Sequence, residues 1–151
     1  MKRPFISYLV LILVAFKAIS AILVGFLLVM DIAGACLGYS LELLESTPFS
    51  NFLIPGLFLF IILGLFPAFI VYGLITKRNH KSVQKRNSYK KQHWSWISSH
   101  FLGLLLILWI HMQLFFGIEF HVLHFIYSIL GILIVVVVHL PATKRHYNIN
   151  L

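Results

Sequence analysis

A few polar side chains stand in stretches of sequence that are otherwise apolar, and these are the groups able to do chemistry. His111, His121 and His124 form one set. His121 and His124 are one helical turn apart, so a helix would put both on one face. Counted along helices, His111 falls about 9 Å below the end of one apolar stretch and His124 about 6 Å below the start of the next. Antiparallel neighbours would therefore hold them at similar depth, with Gln113 and Glu119 close by. Neutral imidazole suits zinc, copper and iron, so the three histidines could make a three-nitrogen metal site. A pair could instead ligate a haem. The competing readings are histidines hydrogen-bonded to backbone and neighbours, or a proton-transfer role. Neither HExxH nor CxxCH occurs. His100 and His139 lie toward the other end, differ in depth by roughly 7 Å on the same counting, and make a poorer pair.

Lys17 is the second candidate. It follows Phe5 by twelve residues, about 18 Å along a helix and near the middle of a bilayer. A lysine there costs roughly 2.5–3.5 kcal/mol unless it is neutralised, paired or able to snorkel. Asp31 is fourteen residues further on, about 21 Å up the same helix and out of reach. Three arrangements remain open. Lys17 faces neighbouring helices and bonds Ser20, Tyr72 or backbone carbonyls; it snorkels along its own helix; or it meets an acid of another subunit or an anionic ligand.

Chemistry of the soluble kind finds no support. The four acids, Asp31, Glu42, Glu45 and Glu119, fall outside the apolar stretches, so no paired-carboxylate site can form within them. There is no phosphate loop, nucleophile elbow or dinucleotide-binding glycine pattern. One cysteine, Cys36, cannot form an internal disulfide and reads as a plain thiol.

The elements that must position these residues follow from composition. Of 151 residues, 60% are hydrophobic and 11% charged, with mean hydropathy +0.96. Soluble domains carry about 25% charged residues. These charges are too few to cover a water-facing surface, so lipid is the solvent for most of the chain. Four segments are long enough to cross ~30 Å of hydrocarbon: residues 5–30, 52–76, 94–117 and 120–140. With backbone groups in lipid satisfied only within helices, the expectation is an all-α, four-helix transmembrane bundle forming a single domain. Lys2 and Arg3 before an apolar run imitate a signal peptide, but Lys17 interrupts the run and the run continues to Met30, so the segment reads as a retained helix. Pro55 fits the start of the second span. Pro67, mid-span, removes a backbone hydrogen bond and predicts a kink. Gly103 and Gly131 suit close helix packing, although no span carries a clean GxxxG.

Charge then sets orientation. Lys2 and Arg3 precede the first span, Lys77, Arg78, Lys81, Lys85, Arg86, Lys90 and Lys91 fill the segment between the second and third, and Lys144 and Arg145 follow the fourth. That is eleven of the twelve basic residues on one side, with all four acids on the other. Positive charge resists translocation, which predicts that both termini and the basic segment are cytoplasmic. The net charge of +8 therefore points to a topology anchor that attracts anionic lipid headgroups, at ~1 kcal/mol per basic residue, and not to nucleic acid. Trp94 and Trp96 fall where interfacial aromatics sit.

Between the first two spans, Gly34 and Gly38 permit turns, and Ser40 is placed to cap a short helix over Leu41 to Glu45. Its leucines predict that it lies at the outer interface or folds back on the bundle. Ser50 is placed to cap the second span. The phrase DIAG, LG, SLELLESTPFSNFLIPGLFLFIILG resembles a pattern in a family of small, largely uncharacterised four-span bacterial membrane proteins. In that pattern an Asp-containing turn, a Leu-Gly pair, a Ser/Thr-Pro-Phe and an Ile-Pro-Gly-Leu follow the first span. His139-Leu140-Pro141, then Lys144-Arg145-His146-Tyr147, is similar to their ending. The likeness implies a four-span fold in a bacterial cytoplasmic membrane and brings no catalytic residues.

The function expected is non-enzymatic: action through association, as an accessory subunit or a small homo-oligomer, with no cofactor required. The alternatives are a haem- or metal-binding protein using His111 and His124, and a small-solute or ion conduit formed by an oligomer.

Overall fold

Each apolar stretch is a helix because lipid leaves the backbone no other hydrogen-bonding partner. The computed structural model describes residues 4–77 and 91–149. Four helices in it are long and apolar enough to cross a membrane: Phe5–Met30, Leu53–Thr76, Trp94–Phe115 and Val122–His139. The chain is accordingly a multi-pass membrane protein. The first span, 26 residues, is about 39 Å long, and the fourth, 18 residues, about 27 Å. A terminal helix, Pro141–His146, follows directly. The basic end of the bundle holds Lys77, Lys91 and this terminal helix, and the acidic end holds Asp31, Glu42, Glu45 and Glu119.

The spans pack as two helical hairpins, and glycine sets both contacts. In the first hairpin, a Cβ at Gly25 would strike the Phe60 backbone, and one at Gly64 would lie 2.8 Å from Ile22 Cγ1. In the second, Gly103 and Gly131 face each other: a Cβ on either would come within 2.8–2.9 Å of the other's carbonyl oxygen. Without side chains there, the helices approach closely enough for dispersion to hold them where no hydrophobic force acts between helices in lipid. The hairpins join through stacked aromatics, Phe58 on Trp109 at 4.3 Å and Phe69 on Trp94 at 4.8 Å between ring centroids. Val14, Leu63, Ile70, Leu102, Leu106 and Ile134 are buried at the shared core.

Pro67 marks an irregularity. The span is α-helical to Leu57, π-helical over Phe58–Leu65, and α-helical again from Phe66. The Phe66 N–H donates to the Ile61 carbonyl, five residues back. Proline lacks an N–H and crowds the preceding turn, and a wider upstream turn relieves that crowding. The predicted disruption thus takes the form of a π segment.

At the acidic end, Gly34 and Gly38 take left-handed φ values of +77° and +71°. Leu41–Leu44 is a 3-10 turn, and the Ser40 hydroxyl accepts from the Glu42 N–H at 3.2 Å. Leu44 folds back against Leu28 and Phe52 in a small second core, while Leu41 and Leu43 stay exposed. Ser50 does not cap the second span: Phe52 holds the N-cap position, and just ahead of it the Asn51 Oδ1 accepts from the Leu53 N–H at 3.0 Å.

Candidate functional site

Lys17 turns into the bundle and is 3% exposed. Its Nζ lies 5.0 Å from the centroid of the Tyr127 ring, contributed by the fourth span. A ring face attracts a desolvated cation by about 2 kcal/mol, which offsets much of the burial cost but supplies no opposite charge. Of the three arrangements open from sequence, the inward-facing one is present, with a different partner. Tyr127 takes the place expected for Tyr72, and the Ser20 hydroxyl donates to the Lys17 carbonyl at 3.1 Å, not to the ammonium. Phe16 and Ile126, the sequence neighbours of Lys17 and Tyr127, line an apolar groove between the first and fourth spans with Phe125, Ile129, Leu130 and Leu133.

The three histidines of the acidic end do not assemble. Among the described residues, no three His, Cys, Asp or Glu side chains are grouped so as to hold a metal ion. For His121 and His124 the hydrogen bonds give the physical reason. His121 precedes the fourth span as its N-cap, and its Nδ1 accepts from the Leu123 N–H at 3.4 Å. His124 reaches back, and its Nδ1 accepts from the His121 N–H at 3.0 Å. A neutral imidazole has one lone pair. Both rings place theirs on the helix cap, so ligating a metal would break the cap. His111 folds onto its own helix, Nδ1 donating to the Ile107 carbonyl at 2.8 Å. Gln113 is half-buried, and its backbone carbonyl accepts from the Ile118 N–H at 3.1 Å.

The pair set aside on depth is the one brought together. His100 and His139 have ring centroids 4.7 Å apart, with planes at 76°. Packing at Gly103 and Gly131 accounts for this: Gly103 faces Val135, and one turn further along each helix puts His100 opposite His139. Depth counted from helix ends missed the pairing because Trp94, where the third span starts, does not lie level with the end of the fourth. His139 Nδ1 donates to the Val135 carbonyl at 2.9 Å. His100 Nδ1 is buried and makes no hydrogen bond.

A buried polar layer at the basic end also escaped sequence reading. Apart from Lys17, the buried polar side chains among the described residues all lie there: Ser7, Gln92, His93, Ser95, Ser99, Thr143 and His146. Tyr147, 1% exposed, anchors the layer, its hydroxyl donating to the Leu74 carbonyl at 3.2 Å and its own carbonyl accepting from the His93 N–H at 2.8 Å. His93 caps the third span through its Nδ1 and Ser95. Trp94 and Trp96 do not face the interface as expected. They are 1% and 2% exposed, and the Trp96 indole donates to the Val138 carbonyl at 2.8 Å. The available signal was the run of Ser, Trp and His over residues 93–100, too polar for a lipid-facing turn.

The basic residues divide. Lys77 belongs to this layer: its Nζ donates to the His146 carbonyl at 2.8 Å and lies 5.3 Å from the Tyr147 ring centroid. Holding the chain here puts Lys77 at φ +50°, a left-handed helix end. It thus helps hold the terminal segment against the end of the second span, while remaining exposed. Lys91 is exposed. Arg78, Lys81, Lys85, Arg86 and Lys90 lie outside the described residues, as do Lys2 and Arg3. The chain matches no protein-family model, no curated protein and no solved structure.

Proposed function

We propose that this chain is a non-enzymatic protein of a bacterial cytoplasmic membrane, of the small four-span kind its loop phrase resembles, that acts as an accessory subunit of a larger membrane assembly. Its termini and basic segment face the cytoplasm. The observation that carries the reading is Lys17: a cation in a membrane span whose contact is an aromatic ring, beside a groove of apolar side chains. All four acids of the chain lie outside the spans. A second copy would bring no carboxylate to that depth, so the missing charge belongs to a different polypeptide. A helix with an Asp or Glu in its span fits, because an opposite charge is the usual partner of an ionisable side chain inside lipid. The groove of Phe16, Phe125 and Ile129 accepts the apolar face of such a helix.

The test is purification from native membranes in mild detergent, with mass and composition of the complex determined for wild type, Lys17→Leu and Lys17→Arg. Wild type and Lys17→Arg are expected to carry a partner with an intramembrane acid, and Lys17→Leu to lose it. Leucine removes a buried charge from apolar surroundings, so this variant should fold at least as well as wild type. Monodisperse monomers for wild type and variant alike would refute the reading.

A further inference from the structure

We infer that His100 and His139 are two ligands of a divalent transition-metal site at the basic end of the bundle, of the kind that takes Cu2+ or Zn2+. This inference is independent of the association through Lys17. The first argument is protonation. A carbonyl only accepts, so His139 Nδ1, 2.9 Å from the Val135 oxygen, carries the proton, and the lone pair of the neutral ring is on Nε2. A backbone carbonyl holding the far nitrogen of an imidazole is also the usual way a metal-binding histidine is aimed. His124 and His121 have the opposite arrangement, with the lone pair consumed at a helix cap.

The second argument is His100. Its Nδ1 is buried without a hydrogen bond, an unfavourable state unless the nitrogen acquires a partner. The third is spacing. With metal–nitrogen bonds of about 2.0–2.1 Å and ring centres about 1.1 Å further on, two imidazoles at a tetrahedral angle on one ion have centroids about 5.2 Å apart, and two on opposite sides of a haem iron about 6.3 Å. The observed 4.7 Å with planes at 76° matches adjacent ligation of a single ion and leaves no room for a haem between the rings. The Trp96 ring packs edge-on against His139, with ring centroids 5.3 Å apart. His139 is the last residue of its span and exposed, so water or lipid phosphate oxygens complete the coordination. Imidazole with oxygen suits Cu2+ and Zn2+, and copper binds more tightly.

The test uses the full chain in lipid nanodiscs, purified without a histidine tag and titrated with Cu2+. Electron paramagnetic resonance counts the bound nitrogens. Wild type is expected to bind one Cu2+ per chain with two nitrogen couplings, and Zn2+ to compete for it. His100→Asn and His139→Asn should each weaken binding at least tenfold and reduce the couplings to one, while His111→Asn changes neither. His100→Ala and His139→Ala provide second versions of each variant should the first not yield monodisperse protein. Failure of wild type to bind, unchanged binding in the double variant, or loss of binding in His111→Asn would overturn the inference.

Discussion

Asp31 and Cys36 show how a loop outside the spans holds itself with few atoms. Asp31 Oδ2 accepts from the Cys36 N–H at 2.7 Å and Oδ1 from the Ala33 N–H at 3.2 Å. The Cys36 amide, helped by that of Ala33, holds the carboxyl below its ordinary range. Its contribution to loop stability is therefore present above the ordinary carboxyl range and lost as pH falls through the lowered value. The same geometry pushes the Cys36 thiol up, through local desolvation and the adjacent carboxylate. Exposed as it is, Cys36 should react slowly with maleimide at neutral pH, because the thiolate is the nucleophile. Asp31→Asn removes the negative neighbour and is expected to speed labelling about three- to tenfold at pH 7.5, within one pKa unit of change. Equal labelling rates would count against this account. The turn itself was legible from Gly34, Gly38 and Ser40, whereas the partner of Lys17 was not. A helix apolar on every side gives no sign of which face meets which neighbour, so Tyr72 and Tyr127 could not be told apart.

At the scale of elements, the four spans were readable because length and hydropathy decide them alone. The hairpin contacts were half readable: Gly103 and Gly131 stood out as small residues, but their register, and with it the meeting of His100 with His139, depends on tertiary approach. The Gly103–Gly131 crossing gives a direct prediction. In Gly131→Leu, the new Cβ would lie 2.8 Å from Ile107 Cγ1 and 2.9 Å from the Gly103 oxygen. Because the obstacle includes the Gly103 backbone, the helices must separate. Overpacking of this kind costs about 1–3 kcal/mol, observable as a lower midpoint of thermal unfolding in detergent. Ile132→Leu, on the exposed face beside it, should stay within about 0.5 kcal/mol. A Gly131→Leu variant as stable as wild type would show that this crossing is looser than the structure has it. Pro67 teaches the same lesson: its missing donor was evident, yet whether a helix answers with a bend or a wider turn is decided by what packs around it.

For the molecule as a whole, the charge segregation of the sequence predicts that reporter tags at the N- and C-termini report the same, cytoplasmic, side; tags on opposite sides would reverse the proposed threading. Long-range polar contacts at the basic end were invisible in the sequence, since His93, Lys77 and Tyr147 are far apart along the chain. Tyr147 and the carbonyl of His146 close groups on the second and third spans, Leu74, Lys77 and His93. In a chain made from its N-terminus, those groups exist before the residues that satisfy them. The first three helices can enter the bilayer in order, but the contacts that close the basic end wait for a segment synthesised after the fourth.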